Sequence, residues 1–242
     1  MEKYSHPIPS ASSTGKYFRF RLQGKGPVLL ILGGSSADWE SVLELLASNY
    51  TLVIPTLSKS VLDRQHQEND PVHYLHRLLD ELSIDRFSVL AHSVSSWIGL
   101  RLVSKCSDRI EKLILANLPS AVEDKPGFIR LHQELIGKKG VLNPEDSSFW
   151  YDRVFRQLTF LHEVKEVLKT TPSLLIAGES DHYFSKEKLI SWSNLEKANL
   201  NLAVIRFAGH FSMKDNPWYF SAIVKDFLQN NNNSIPCGLL SI

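Results

Sequence analysis

Two cysteines in 242 residues, Cys106 and Cys237, offer neither a disulfide framework nor metal-ligand spacing, and they point to a reducing compartment. An excess of one charge is also missing. Lysine and arginine number 27 against 26 aspartates and glutamates, a formal net charge of +1, so the balance marks no surface for nucleic acid or for an anionic membrane. No apolar run approaches the length that spans a bilayer, and residues 1–13 are polar and proline-containing, without the apolar stretch of a secretion signal. A soluble, cytoplasmic chain is the expectation. Gly24, Gly26, Gly33 and Gly34 lack the spacing of a phosphate-binding loop, and no cofactor and no metal are expected. At 43% hydrophobic and 22% charged residues, the chain is ordinary for a soluble protein and suits one large domain, with or without an insertion.

Strands and helices alternate along most of the length. Residues 1–14 read as a loosely held arm. Lys16 to Leu22 reads as an exposed antiparallel strand, and Val28 to Leu32 is continuously apolar, as a parallel strand buried on both faces must be. Ala37 to Ser48 has helical spacing, Leu52-Val53-Ile54 is a second buried strand, and 58–69 is polar and loop-like. Asp70-Pro71 opens a helix with a capping carboxylate and a proline at the first helical position. Phe87 to Ala91 and Lys112 to Leu118 are further buried strands, Ser173 to Ala177 another, and Leu202 to Phe207 the last. Helices are predicted over Lys186 to Leu195 and over Pro217 to Leu228. This rhythm predicts an α/β protein with a mostly parallel twisted sheet and helices on both faces. Ligands of such sheets lie beyond the carboxyl ends of the strands.

Four distinctive segments stand in that place: Gly33-Gly34, Ser93, Asp181 and His210. Ser93 lies where a buried strand gives way to helical spacing at Val94, Trp97, Ile98, Arg101 and Leu102, the context of a nucleophile elbow. The usual G-x-S-x-G is replaced by Ala91-His92-Ser93-Val94-Ser95, with small residues but no glycine at the flanking positions. Serine, aspartate and histidine, each just after a strand, follow the chain order of a hydrolase triad. Glu179 stands two places from Asp181, and an acid after the preceding strand would fall near Asn117, which is not a carboxylate. His92 reads as a packing residue beside the elbow, His73 and His76 as a solvated helix face without a third ligand, and Cys106 as a small buried hydrophobe.

The segments GPVLLILGGSSADWESVLELL, DELSIDRFSVLAHSVSS, PSLLIAGESDHYFS and AGHFSMKDNP, in that order, resemble those of the α/β-hydrolase superfamily from about Tyr17 to Leu228. The resemblance implies an α/β-hydrolase fold with a short helical cap insertion. It places the core at 1–118 and 172–230, the cap at 119–171 and a flexible tail at 231–242. It makes Ser93 the nucleophile, His210 the base and Asp181 the acid that orients the base. The oxyanion hole would be formed by the backbone N–H groups of Gly34 and Val94. The histidine with which the family's oxyanion loop often begins is absent, since Leu32 precedes Gly33. The aromatic-rich insertion would line the pocket with residues such as Trp150, Phe155 and Phe160.

The implied function is a serine hydrolase acting on an ester, thioester or lactone of a small, mostly apolar molecule through an acyl-enzyme. The partner is thus a small-molecule acyl substrate, and oligomeric state is left open. The same triad also serves acyltransferases, thioesterases, cyclases, C–C bond hydrolases and lyases, because fold and triad do not fix substrate. A different class of reading, a ligand-binding receptor on a slow or retired hydrolase scaffold, draws on the missing elbow glycines and loop histidine.

Overall fold

The computed structural model describes residues 18–34, 36–57, 70–119, 166, 168–184 and 199–230. The predicted arm, polar loop, helix over Lys186 to Leu195 and C-terminal tail lie wholly or largely outside these residues, as does nearly all of the predicted cap. The described elements are β1 (Phe20–Gln23), β2 (Val28–Leu32), α1 (Ser36–Ala47), β3 (Thr51–Pro55), α2 (Pro71–Glu81), β4 (Phe87–His92), α3 (Ser95–Lys105), β5 (Ile110–Ala116), β6 (Ser173–Gly178), β7 (Leu200–Ile205), α4 (Ser212–Asp215) and α5 (Pro217–Gln229).

The seven strands form one sheet in the order β1-β3-β2-β4-β5-β6-β7. Only β1 runs antiparallel, pairing Phe20 with Pro55 and Gln23 with Leu52 at the sheet edge. The continuous apolar runs are explained by burial from both sides: every residue of β2, β4 and β6 is buried. Along each strand the side chains alternate between two cores. Leu30, Val89, Leu113 and Leu175 pack on one side with Tyr74, Leu75 and Leu78 of α2 and Trp97 and Ile98 of α3. Leu29, Leu90, Ile114 and Ile176 pack on the other with Trp39, Val42 and Leu43 of α1 and Phe220 and Val224 of α5.

The cap of α2 is the one the sequence predicts, and a second, on α5, comes from the structure. Asp70 accepts from the Val72 N–H at 3.0 Å with Pro71 at the start of α2, and Asn216 caps α5 ahead of Pro217. Strand limits differ from the sequence reading, most at β5 and β7. β5 begins at Ile110, not Lys112, because Ile110 is buried and pairs with Phe87. β7 runs from Leu200 to Ile205, not Leu202 to Phe207: Phe207 turns to a φ of +57° and is 91% exposed. Among the described residues no helix is long and apolar enough to cross a membrane.

Candidate active site

The sheet order puts the ends of β2, β4, β5, β6 and β7 side by side, and these five ends carry Gly33-Gly34, Ser93, Asn117, Asp181 and His210. From β2 the chain leaves to one side for β3, then crosses back to β4 on the other side. Gly34 and Ser93 therefore flank the switch point, where sheets of this kind leave a crevice.

At the end of β4 the chain turns into α3 through Ser93, whose φ is +54°. A non-glycine residue in this left-handed region carries strain that its surroundings must hold. The Ser93 N–H donates to the Ala116 carbonyl of β5 at 2.8 Å, and the Ser93 carbonyl accepts from the Ser96 N–H at 2.9 Å. Ser96 also donates its hydroxyl to the Ala91 carbonyl at 3.2 Å. The elbow is thus fastened on both sides of the serine.

The glycines missing from the pentapeptide are replaced by glycines on the neighbouring elements. A Cβ on Gly33 would lie 2.6 Å from the His92 carbonyl oxygen and 2.9 Å from both Cβ and Oγ of Ser95, so the loop after β2 makes the room that Ser95 takes. On the other flank, a Cβ on Gly99 of α3 would sit 3.2 Å from that of Ala91, so the helix makes room for the strand's alanine.

Ser93 Oγ lies 2.8 Å from His210 Nε2, and His210 Nδ1 lies 2.9 Å from Asp181 Oδ2. Both side chains of the histidine–aspartate pair are nearly buried, at 1% and 3% exposure. Burial works against the Asp181 charge. The hydrogen bond and charge of His210, the Asn117 amide and the Tyr183 N–H outweigh it and hold the carboxyl below its ordinary range. An ionised carboxylate only accepts, so His210 donates from Nδ1, and Nε2 is left with a lone pair for the serine proton. Asp181 Oδ1 is filled by the N–H groups of Tyr183 (2.9 Å) and Phe184 (3.1 Å), which leaves Oδ2 to the histidine and the Asn117 amide. Glu179 is placed elsewhere, its Oε2 accepting from the Phe207 N–H.

Asn117 was identified from the sequence only as a position without a carboxylate, yet the structure puts it in the site. Its Nδ2 donates to Asp181 Oδ2 at 3.0 Å and to the Gly209 carbonyl at 3.2 Å, and its Oδ1 accepts from the Ser212 hydroxyl at 2.6 Å. One carboxamide ties the acid to the histidine loop. The only sequence signal available was its place directly after a buried strand.

His92 is fully buried and its Nε2–H donates to the His210 backbone carbonyl at 2.8 Å. Desolvation, reinforced by the neighbouring His210 and opposed by that hydrogen bond, pushes its pKa down to about 3. It is a neutral strut and not a base. His76 meets Asp80 at 3.1 Å and Arg109 at 3.3 Å. The Cys106 thiol is buried and donates to the Leu102 carbonyl. Among the described residues no group of side chains could hold a metal ion. Trp150, Phe155 and Phe160, the predicted pocket residues, lie outside the described residues.

No family model matches the chain. It is 24% identical over 129 residues, half of its length, to uncharacterised proteins of Mycobacterium tuberculosis and Mycobacterium bovis, and this match spans 38% of their length. Several solved structures match almost the whole chain. A 2-hydroxy-6-oxo-6-phenylhexa-2,4-dienoate hydrolase from Rhodococcus sp. strain RHA1 is 14% identical with a TM-score of 0.65, over 88% of this chain and 95% of that one. MGS-MChE2, an α/β hydrolase from the metagenome of lagoon sediments at Mar Chica, Morocco, is 18% identical with a TM-score of 0.68, over 89% and 96%. Carboxylesterase CesB from Bacillus subtilis is 14% identical with a TM-score of 0.64, over 92% and 93%. The chain has the α/β-hydrolase fold. Within it, the ends of β4, β7 and β6 hold a serine, a histidine and an aspartate in one hydrogen-bonded line.

Proposed function

We propose that the protein is a serine hydrolase that cleaves an ester, thioester or lactone of a small, mostly apolar molecule. The observation that carries this reading is the continuous line from Ser93 Oγ through both nitrogens of His210 to Asp181, at 2.8 and 2.9 Å. Ser93 Oγ attacks the substrate carbonyl carbon while its proton passes to His210 Nε2. Asp181 holds the ring and stabilises the imidazolium that forms. The oxyanion is received by the N–H groups of Gly34 and Val94, the latter at the amino end of α3, where amides lack intrahelical partners and the helix dipole favours negative charge. Collapse breaks the bond to the leaving group, which takes the proton from His210. Water, deprotonated by the same nitrogen, then releases the acid from the acyl-enzyme.

The test is labelling by a fluorophosphonate together with turnover of short-chain p-nitrophenyl esters. Ser93→Ala is expected to lose the label and about 10⁶-fold in kcat, the scale on which a triad serine counts. Asp181→Asn is expected to cost about 10⁴-fold by favouring the wrong histidine tautomer. Folded wild-type protein that neither labels nor turns over an ester overturns the reading. Product analysis separates hydrolysis from acyl transfer, cyclisation and C–C cleavage. Tight binding of a small molecule without turnover, indifferent to Ser93→Ala, would favour a receptor instead.

A further inference from the structure

We propose that Trp39 is a positioning residue of the oxyanion hole: its indole N–H sets which way the Gly33–Gly34 peptide faces. The inference rests on the serine-hydrolase reading and extends it to a residue outside the triad. Trp39 Nε1 donates to the Gly33 carbonyl oxygen at 2.5 Å, and the indole is buried to 1% exposure in the core beneath the loop. The peptide is trans, so its two polar groups point in opposite directions. With the Gly33 carbonyl turned in to the buried indole, the Gly34 N–H on the same plane is turned the opposite way, away from the core, at a residue that is itself exposed.

A flip of this peptide would have two consequences. It would leave a buried indole N–H without its acceptor, and it would aim a carbonyl oxygen at the place where negative charge develops. The loop is shaped around the indole in a second way. Gly33 and Gly34 have φ values of +86° and +70°, and a Cβ on Gly34 would lie 2.6 Å from Trp39 Nε1. Two successive left-handed residues are glycine's territory, and here they let the chain wrap a tryptophan side chain at contact distance. The indole also meets the His92 ring edge-on, at 6.2 Å between centroids, and Phe220 of α5 at 5.9 Å. His92 in turn holds the His210 backbone. One buried side chain therefore touches the oxyanion loop and the strut of the histidine loop.

The experiment compares wild-type protein with Trp39→Phe, which keeps an aromatic ring and removes the N–H, and with Phe220→Leu, which loosens the same packing and leaves the N–H in place. Each is assayed for kcat and KM on a p-nitrophenyl ester and for inhibition by a trifluoromethyl ketone, which becomes an oxyanion when Ser93 adds to it. Trp39→Phe is expected to lose about 10²–10³ in kcat, the effect of removing one oxyanion donor. Its ketone affinity should fall by a comparable factor with KM little changed, since the lost interaction belongs to the transition state. Phe220→Leu should stay close to wild type in both. Wild-type kcat and ketone affinity in Trp39→Phe overturn the inference alone, as does an equal loss in Phe220→Leu. Wild-type protein that neither hydrolyses the ester nor binds the ketone overturns the hydrolase reading and this inference with it. Should Trp39→Phe not fold, a long-range NMR correlation across the hydrogen bond, from the Trp39 indole nitrogen to the Gly33 carbonyl carbon, decides in the wild-type protein. Its presence is expected and its absence overturns the proposal.

Discussion

Asn117 leaves β5 with a φ of +50°, a conformation asparagine tolerates better than most residues, and both ends of its carboxamide are engaged. Its amide donates to the same Asp181 oxygen that receives the His210 N–H, so it helps keep that oxygen charged and aimed. Asn117→Asp would replace the donor, 3.0 Å away, with a second carboxylate. Two carboxylates so close cannot both ionise readily, and the acid limb of the activity profile should move to higher pH because Asp181 must be ionised to fix the histidine tautomer. Asn117→Ala acts differently. It strips the Ser212 hydroxyl and the Gly209 carbonyl of a buried partner, which should cost about 1–3 kcal/mol of stability in urea unfolding. An unshifted pH profile in Asn117→Asp would mean that the carboxamide serves the loop alone.

The elbow between β4 and α3 works because neighbouring elements give way where its own residues cannot. Ala91 is tolerated by Gly99 one helical turn into α3, and Ser95 by Gly33 across the switch point. Gly99→Ala adds a good helix former, worth up to about 1 kcal/mol, but sets two Cβ atoms 3.2 Å apart between a strand and a helix that are both fixed. We expect the double variant Ala91→Gly, Gly99→Ala to be more stable than the sum of its singles by at least about 0.5 kcal/mol, read as a coupling energy from urea unfolding. Additive singles would show that the two Cβ positions do not compete. These compensations also mark how far the chain could be read in advance. The buried strands, the capping of α2 by Asp70 and the three-residue line Ser93–His210–Asp181 were legible, since each follows from local pattern or chain order. Gly33 opposite Ser95, Gly99 against Ala91, Asn117 on Asp181 and Trp39 beneath Gly33 were not. Each is a contact between segments distant in the chain or turned by helical geometry, and no local period encodes it. The limits of β5 and β7 missed for a related reason: pairing with β4 and β6 set them, not hydropathy.

At the scale of the whole molecule, the line from Ser93 through His210 to Asp181 is a product of the sheet. The ends of β4, β6 and β7 supply it, the ends of β2 and β5 stand beside them, and the elements that hold it together are buried between them. His92 is the clearest case, because it joins β4 to the loop after β7 through the core and must do so uncharged. Its folded pKa near 3 lies below the ordinary 6.5 because burial strips the charged ring of water; the neighbouring His210 adds to that effect, and the hydrogen bond to the His210 carbonyl, with Asp181 and Asp38 from a distance, opposes it. Above pH 6.5 neither the folded nor the unfolded chain holds this proton, and the stabilising contribution is complete. Below pH 6.5 the unfolded chain takes it up while the folded chain does not. Stability should therefore fall with pH by about 1.4 kcal/mol per unit on account of this one group, until the folded value is reached. Asp181 adds to the loss at lower pH: its folded pKa is depressed, so its contribution is present above 3.8 and disappears as pH falls through the folded value. Urea unfolding at pH 7.5, 5.5 and 4.5 measures the slope. His92→Gln, which retains an N–H donor for the His210 carbonyl and cannot take up the proton, should flatten it in the range from 6.5 to 4.5. A variant slope as steep as that of the wild type would place the acid sensitivity elsewhere in the molecule and remove His92 from its cause.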